Sequence, residues 1–349
     1  MSENCTSLVT GSFDSHLVPA PVDYAVILPP NYSKQDSLPL LLHLHGLGED
    51  RNFLILMEPL YQQWWEENII PPMVVVSFSA GISRYLNYRD GSERWEDFTF
   101  EFKEFIAATY RTRPEREYNY IAGLSMGGIG SLRMGLKYPD QFGAVASTGA
   151  VIDPAFIFED IHPRYPGTLN VPPEVQSKRL GNPVDESYFQ ANNHANIAQD
   201  NAQAIRASGL KIYIEAGDHD FLNAHDGGEF LHRILWENRI EHEYRLLHGC
   251  DHIGSSLIWR FRDLHQWLGR VSLQLIEQSG IEHSLPKLED NAYLQWRING
   301  CVGPMPTDAD YHDLFDDAWI TLSRDLAASS GLTHVDKPLE GVFRKILHK

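Results

Sequence analysis

The chain has 349 residues, of which 43% are hydrophobic and 22% charged, so it can build one large globular domain or two modest ones. This balance excludes an intrinsically disordered chain. The formal net charge of -18 argues against nucleic acid and anionic membrane surfaces as partners, and it mildly disfavours highly anionic substrates, although a local pocket can override the global field.

Hydrophobic periodicity predicts strands that alternate with helices through most of the chain. We predict strands over 22–28, 38–44, 73–78, 118–122, 143–148, 210–216 and 242–247. We predict helices over 54–68, 98–110, 128–138, 185–208, 228–238 and 255–268. This alternation is typical of the α/β class with a doubly wound, mostly parallel sheet covered on both faces, and we expect an early antiparallel strand over 22–28.

Two segments depart from this alternation. Residues 151–190 are rich in proline, asparagine and charge, which predicts a lid-like insertion or a pocket wall. After about residue 275 the pattern changes to proline, glycine and aspartate clusters, with one helix predicted over 310–328. We therefore predict a main domain over 1–275 and a C-terminal extension of unknown role over 276–349, with a homo-oligomer formed through the extension left open.

Residues 121–128 contain the most informative pattern, G-x-S-x-G, formed by Gly123, Ser125 and Gly127. A predicted strand precedes it and a predicted helix follows it. A serine at such a sharp strand-to-helix turn is held in a strained conformation that pushes its hydroxyl out above the sheet, and only small residues fit two positions away on either side. The pattern therefore predicts a nucleophilic serine, and the alternative is a tight turn in an inactive scaffold.

A nucleophilic serine needs a base, and the base needs an acid that orients it. In a doubly wound hydrolase these residues follow in the order serine, acid, histidine, each after a strand. Asp220 follows the strand predicted over 210–216, and His252 follows the strand predicted over 242–247. We therefore predict that Ser125, Asp220 and His252 form a catalytic triad.

Two neighbouring residues compete for these roles. Asp218 is the alternative acid, but Asp220 stands three residues after Gly217 and directly before an apolar anchor, which favours it. His248 is the alternative base. We favour His252 because it lies in the loop proper, before the final helix, whereas His248 is typical of a strand end.

The oxyanion of a tetrahedral intermediate requires two backbone N–H donors aimed at one point. One donor is expected from Met126, directly after the nucleophile. The other is expected from the loop 45–48, where glycines on both sides of Leu47 let the backbone turn inward. We therefore predict Leu47 and Met126 as the oxyanion hole.

No metal or cofactor is expected. The sixteen histidines form no H-E-x-x-H pattern, and no C-x-x-C pattern is present. Cys5, Cys250 and Cys301 do not form a disulfide framework, and free thiols are expected, with a Cys250–Cys301 pair left open. The N-terminus has no basic region followed by an apolar run, and no stretch approaches 18 apolar residues, so we expect a cytoplasmic protein.

The sequence resembles the esterase D and S-formylglutathione hydrolase branch of the α/β-hydrolases, which includes feruloyl and acetylxylan esterases and mycolyltransferase-like proteins. The resemblance covers about residues 20–270. It is carried by residues 45–50, Asn87, 91–92, 95–98, Glu101, the nucleophile block through 137–145, 217–222 and 249–252. It implies an α/β-hydrolase catalytic domain over 1–275, with Ser125, Asp220 and His252 as the triad and Leu47 and Met126 as the oxyanion hole.

These residues favour a serine carboxylesterase that cleaves a small-molecule ester through an acyl-enzyme. The apolar residues of the segments 53–65 and 151–170 favour an uncharged or aromatic ester. The same triad could serve an acyltransferase that uses an alcohol acceptor in place of water, or a lactonase or peptidase. From a different class, the chain could be a binding scaffold that kept the fold without activity.

Overall fold

The computed structural model describes residues 6–35, 37–165 and 172–278. Within them, eight strands form one sheet in the order β1-β2-β4-β3-β5-β6-β7-β8. The strands are β1 (Ser7–Phe13), β2 (Val22–Leu28), β3 (Leu40–Leu44), β4 (Val74–Phe78), β5 (Asn119–Leu124), β6 (Ala144–Thr148), β7 (Lys211–Gly217) and β8 (Glu243–Leu247). β2 is antiparallel to both of its neighbours, and the strands from β4 to β8 are parallel. The predicted fold class, including the early antiparallel strand, is confirmed.

Helices cover both faces of the sheet. They are α1 (Asn52–Glu66), α2 (Trp95–Thr109), α3 (Met126–Lys137), α4 (Pro173–Leu180), α5 (Glu186–Asn192), α6 (His194–Asp200), α7 (Ala202–Ser208), α8 (Ala224–Glu237) and α9 (Leu257–Gln278). Side chains of α1 and α9 pack on one face, and side chains of α2, α3 and α6–α8 pack on the other. Alternate residues of each central strand point to opposite faces of the sheet. Leu41 therefore packs with α1 and α9, while Leu40 and Leu42 pack on the opposite face with α2 and α3. None of the described helices combines the length and the apolar character needed to cross a membrane.

The structure differs from the predicted elements in four places. The final helix, predicted over 255–268, continues to Gln278 as α9. The edge strand β1 was not predicted, because its residues are only half-buried and alternate weakly in polarity. The helix predicted over 185–208 is three short helices. The Asn193 side chain accepts a hydrogen bond from Ala195 N, and this cap starts a new helix inside the expected one. Finally, α4 adds a helix to the segment 151–190.

Some of the predictions concern residues beyond the described ones. Cys5, most of the extension over 276–349, its helix over 310–328 and Cys301 lie outside the described residues. Cys250 is a buried free thiol.

A buried chain of hydrogen bonds ties β3, α1 and α9 together. His43 Nδ1 lies 2.7 Å from Tyr61 Oη, Tyr61 Oη lies 2.9 Å from His265 Nε2, and His265 Nδ1 lies 2.7 Å from Phe261 O. Because a carbonyl only accepts, His265 Nδ1 carries the hydrogen, so His265 Nε2 accepts from Tyr61. Tyr61 in turn accepts from His43 Nδ1. His43 Nε2 is then without a hydrogen, and it has no partner among the described residues.

Acid is expected to destabilise the fold through these two histidines. Burial lowers the pKa of His43 well below 6.5 and lowers the pKa of His265 to about 4. The unfolded chain binds protons there that the folded protein excludes, so the free energy of unfolding should fall as the pH drops from 6.5 towards 4. The pKa shift of His265 corresponds to a loss on the order of 3 kcal/mol of unfolding free energy once the pH is below about 4.

Urea unfolding of the wild type and of His265→Gln between pH 4 and pH 7 measures this dependence. The variant should be less stable at pH 7 and should lose less stability on acidification. An identical pH slope in both proteins would exclude His265 as its source.

Candidate active site

Ser125 occupies the turn between β5 and α3 in a conformation that few non-glycine residues adopt. Its φ is 53° and its ψ is -111°. The Ser125 amide donates to Thr148 O at 2.8 Å, and Ile129 N donates back to Ser125 O at 2.9 Å, which together hold the residue in this conformation. Strained backbone of this kind is found where a side chain must be presented at a fixed place. The turn therefore meets the geometric expectation for a nucleophile elbow.

The glycines of the motif are required by close backbone packing. A Cβ atom at Gly123 would lie 2.2 Å from the carbonyl carbon of Gly127. A Cβ atom at Gly127 would lie 2.2 Å from Leu44 O, at the end of β3. Both distances are far shorter than a van der Waals contact, so any larger residue at these positions would displace the turn that carries Ser125.

The structure brings Ser125, His252 and Asp220 together. His252 Nε2 lies 2.8 Å from Ser125 Oγ, and His252 Nδ1 lies 2.6 Å from Asp220 Oδ2. The other oxygen of Asp220 accepts from Leu222 N at 2.8 Å, which fixes the carboxylate plane. Asp220 and His252 are only 3% and 4% exposed, so water competes little for these hydrogen bonds. The three residues follow β5, β7 and β8 in turn, at the carboxyl edge of the sheet.

The alternative acid and base pair with each other instead, at the surface. Asp218 Oδ2 lies 2.7 Å from His248 Nδ1, and Asp218 Oδ1 accepts from Gly249 N at 2.6 Å. The His248 side chain is 93% exposed. The hydrogen bond with His248 lowers the pKa of Asp218. Asp218 and His248 therefore join the loop after β7 to the loop after β8, and neither of them hydrogen-bonds to Ser125.

The two expected oxyanion donors lie on elements of different kinds. Met126 is the first residue of α3, so its amide is one of the four that have no partner inside the helix. The amides on both sides of Leu47 are engaged, Gly46 N with the Glu49 carboxylate at 2.7 Å and Gly48 N with Gly81 O at 3.0 Å. The Leu47 amide has no acceptor among the described residues. The loop is thus held from both sides while Leu47 N stays available.

Sequence reasoning missed the role of His45 in this loop. His45 is fully buried, and its Nε2 accepts from Ala80 N at 2.8 Å. Its Nδ1 therefore carries the hydrogen and donates to Gly46 O at 2.7 Å. Burial lowers the pKa of His45, which keeps the ring in this neutral form. His45 is a positioning residue for the Leu47 backbone.

A buried ion pair supports the loop of His252. Arg260 and Glu215 are both completely buried, and Arg260 Nη2 lies 3.0 Å from Glu215 Oε1. Arg260 Nη1 also donates to Asp251 O at 2.5 Å. The Asp251 carboxylate accepts from His252 N at 2.6 Å and from Phe221 N at 3.2 Å, so it joins the acid loop to the histidine loop. These contacts fix the approach of the imidazole to Ser125.

Removing Arg260 should cost both stability and rate. In Arg260→Met, the Glu215 carboxylate stays buried without its partner, which costs about 3–5 kcal/mol of unfolding free energy. In the double variant Arg260→Met/Glu215→Met no buried charge is left, so most of the stability should return while the support of Asp251 O stays absent. Urea unfolding and kcat on one ester measure the two effects. Equal stability of the single and double variants would contradict this account.

Exposed apolar side chains surround the three residues. Leu47, Phe221 and Ile253 are 61%, 59% and 55% exposed, and each stands on a different loop of the site. Most apolar side chains of the segment 53–65, by contrast, belong to α1 and pack in the core, whereas Leu56 is 80% exposed. The buried side chains of this segment therefore give no support to the expectation of an uncharged or aromatic ester.

The segment 151–190 is described except for residues 166–171. Its residues Asp153, Gln176, Arg179, Leu180 and Phe189 line a cavity beside α3. The role of this segment as a lid or pocket wall stays a prediction.

Among the residues that the structure describes, no three side chains of His, Cys, Asp or Glu lie close enough together to hold a metal ion.

A family model named Esterase, with the description "Putative esterase", matches residues 15–261 of the chain. An acetyl esterase of Caldicellulosiruptor saccharolyticus is 40% identical over 72 residues, which is 20% of this chain and 27% of that protein. An esterase of Mycobacterium tuberculosis is 28% identical over 128 residues, which is 35% of this chain and 27% of that protein. The chain thus spans about a quarter of the length of these curated relatives.

Solved structures share the fold at low sequence identity. A ferulic acid esterase is 21% identical with a TM-score of 0.61, over 76% of this chain and 99% of that one. The fluorophosphonate-binding serine hydrolase F of Staphylococcus aureus is 20% identical with a TM-score of 0.63, over 76% and 98%. An S-formylglutathione hydrolase from Agrobacterium tumefaciens is 18% identical with a TM-score of 0.60, over 77% and 95%. At these identities the likeness establishes the fold alone.

Proposed function

The chain belongs to the esterase family whose model matches residues 15–261, and we propose that it is a serine carboxylesterase acting through an acyl-enzyme. One observation carries the proposal: Ser125 Oγ, the His252 ring and the Asp220 carboxylate form a continuous hydrogen-bonded line, with distances of 2.8 Å and 2.6 Å. A hydroxyl, an imidazole and a carboxylate in this order are the parts that turn serine into a nucleophile.

Acylation begins when His252 Nε2 takes the proton of Ser125 and Oγ bonds to the ester carbonyl carbon. The carbonyl oxygen becomes an oxyanion, which the amides of Leu47 and Met126 stabilise by hydrogen bonds. When the tetrahedral intermediate collapses, the bond from carbon to the alcohol oxygen breaks. His252 then gives its proton to the departing alcohol, and the acyl group stays on Ser125.

Deacylation repeats these steps with water as the nucleophile. His252 takes a proton from water, the hydroxide oxygen bonds to the acyl carbon, and the second tetrahedral intermediate releases the acid as Ser125 regains its proton. Asp220 keeps Nδ1 of the ring protonated in both half-reactions, so that Nε2 always faces Ser125 as the acceptor.

Hydrolysis of a series of p-nitrophenyl esters, from acetate to octanoate with one aromatic acyl group, tests the proposal. Release of p-nitrophenol well above the buffer rate, with the free acid as product, would support it, and the best acyl length would size the acyl site. Repeating the assay with methanol shows whether the acyl group passes to an alcohol. No activity on any ester would overturn the proposal.

A further inference from the structure

A small cavity beside α3 carries an excess of positive charge. Its volume is about 50 Å³, and its charged lining consists of Arg84, Arg133, Arg179 and a single carboxylate, Asp153. The excess is two positive charges, in a chain whose formal net charge is -18. A concentration of cations that opposes the charge of the whole molecule calls for a specific explanation.

Arg179 contacts an aromatic ring and a backbone carbonyl. Its guanidinium carbon lies 5.7 Å from the centre of the Tyr88 ring. Arg179 is 2% exposed, it donates from Nη2 to Ile82 O, and its Nε has no hydrogen-bond partner among the described residues. Within the same residues no carboxylate forms an ion pair with it. A buried guanidinium without a counter-charge is costly, and an anion in the cavity would compensate it.

Arg133 has a different task. Its Nε lies 3.2 Å from Glu96 Oε2, and its Nη2 donates to the carbonyls of Arg84 and Tyr85. Both of those residues have left-handed backbone conformations, with φ values of 57° and 53°. Such conformations are unfavourable for non-glycine residues and need support from their surroundings. Arg133 therefore holds a strained loop that places the Arg84 side chain at the cavity.

The side chain of Arg84 lies at the cavity beside the carboxylate of Asp153. Its Nη2 lies 3.9 Å from Asp153 Oδ2. The pKa of Arg84 is lowered to about 10, chiefly by burial; the positive charges of Arg179 and Arg133 also lower it, whereas the Asp153 carboxylate raises it. Arg84 still carries its charge at pH 7, so Arg84 and Arg179 present two guanidinium groups to the same cavity.

The cavity lies along the helix that starts at the nucleophile. Ile129 and Arg133 of α3 line it, and these residues are about 6 Å and 12 Å from Ser125 along the helix axis. Arg84 N lies 3.3 Å from Met126 Sδ, which places this loop next to a proposed oxyanion donor. Since a single water occupies roughly 10–15 Å³ of such a volume, the cavity can hold a carboxylate group.

We propose that the acyl part of the substrate ends in a carboxylate, which Arg84 and Arg179 bind in this cavity. The inference rests on the proposed esterase function. The leaving alcohol must lie beside His252 to take its proton, so the acyl part lies on the Met126 side, towards Arg84. Charge-assisted hydrogen bonds to a carboxylate are stronger than neutral ones, and the planar guanidinium matches the carboxylate plane. The substrate class is thus the monoesters of dicarboxylic acids.

The test compares kcat/KM for matched pairs of p-nitrophenyl esters. Each pair has the same acyl length and differs in a terminal carboxylate or methyl group: the monoester of adipic acid with hexanoate, and the monoester of suberic acid with octanoate. We expect the wild type to prefer the carboxylate ester of at least one pair by tenfold or more, because charge-assisted hydrogen bonds are stronger than neutral ones. A preference for the methyl ester in both pairs would overturn the proposal.

Variants identify the source of the preference. The preference is the ratio of kcat/KM for the carboxylate ester to kcat/KM for the methyl ester of the same pair. Arg179→Gln and Arg84→Gln should each reduce this ratio about tenfold, and Arg179→Lys should retain part of it. Lys178→Gln removes the same charge from the neighbouring exposed residue and should leave the ratio unchanged. A ratio that does not respond to Arg179 and Arg84, or that responds equally to Lys178, would contradict the assignment.

Calorimetry separates this inference from the proposed function. Adipate, suberate and inorganic phosphate are titrated into Ser125→Ala, with and without Arg179→Gln. Arg179-dependent binding of a dicarboxylate supports the subsite even if no ester is hydrolysed. Binding of phosphate alone, or no binding of any anion, would overturn the proposed carboxylate subsite. A wild-type protein that hydrolyses no methyl-ended ester would count against the esterase function only.

Discussion

Replacing Ser125 by alanine is expected to lower kcat for ester hydrolysis by at least about 10⁴-fold. Without Oγ no acyl-enzyme forms, and the remaining rate comes from substrate binding and the oxyanion donors alone. The measurement is the steady-state hydrolysis of the best p-nitrophenyl ester, with the uncatalysed rate subtracted.

The control for this variant is Ser208→Ala. The Ser208 hydroxyl bonds to Ile205 O at the end of α7, away from the residues of the site, so the variant should hydrolyse the ester at close to the wild-type rate. Thermal unfolding shows whether Ser125→Ala is folded. A folded Ser125→Ala protein that retains the wild-type rate would exclude Ser125 as the nucleophile.

The second large effect is expected for Asp220→Asn, which should lower kcat by about 10³- to 10⁴-fold. The amide group of asparagine can donate to the imidazole and so stabilise the tautomer whose Nε2 carries the hydrogen. That tautomer cannot accept the proton of Ser125. The charge that stabilises the imidazolium is lost in the same variant. Single-ester kinetics at pH 7 measure the loss.

The matched control is Asp218→Asn, two residues away in the same loop. Because the Asp218 carboxylate bonds to the exposed His248 and to Gly249 N, the variant should stay within about threefold of the wild-type rate. His248→Gln should behave in the same way. A large loss in Asp218→Asn together with a small loss in Asp220→Asn would reverse the assignment of the acid.

Much of the fold and the three residues of the proposed triad could be predicted from local sequence patterns. The requirements for glycine at 123 and 127 come from backbone atoms within a few residues and from one neighbouring strand, so the motif is legible in the sequence. The order of strands and helices follows from their periodicity. The sequence favours Asp220 over Asp218 only weakly, because the two residues stand in one loop and differ in the direction that the turn gives their side chains.

Contacts between distant segments could not be predicted from sequence. Glu215 and Arg260 are 45 residues apart and meet only because α9 packs back under β7. Arg179 donates a hydrogen bond to Ile82 O, 97 residues away along the chain, and no local sequence pattern at either residue predicts this contact. The positively charged cavity is the sum of such contacts. For this reason the expectation of an uncharged ester, drawn from local apolar content, is replaced by the proposal of a terminal carboxylate.

If His252 activates Ser125 as a nucleophile, a fluorophosphonate probe should label Ser125. We expect a single adduct, located by peptide mass spectrometry on the peptide that carries Ser125. Labelling should be at least about a hundredfold slower in His252→Gln and unchanged in His248→Gln. A protein that hydrolyses esters but takes the label elsewhere, or not at all, would exclude Ser125 as the activated nucleophile.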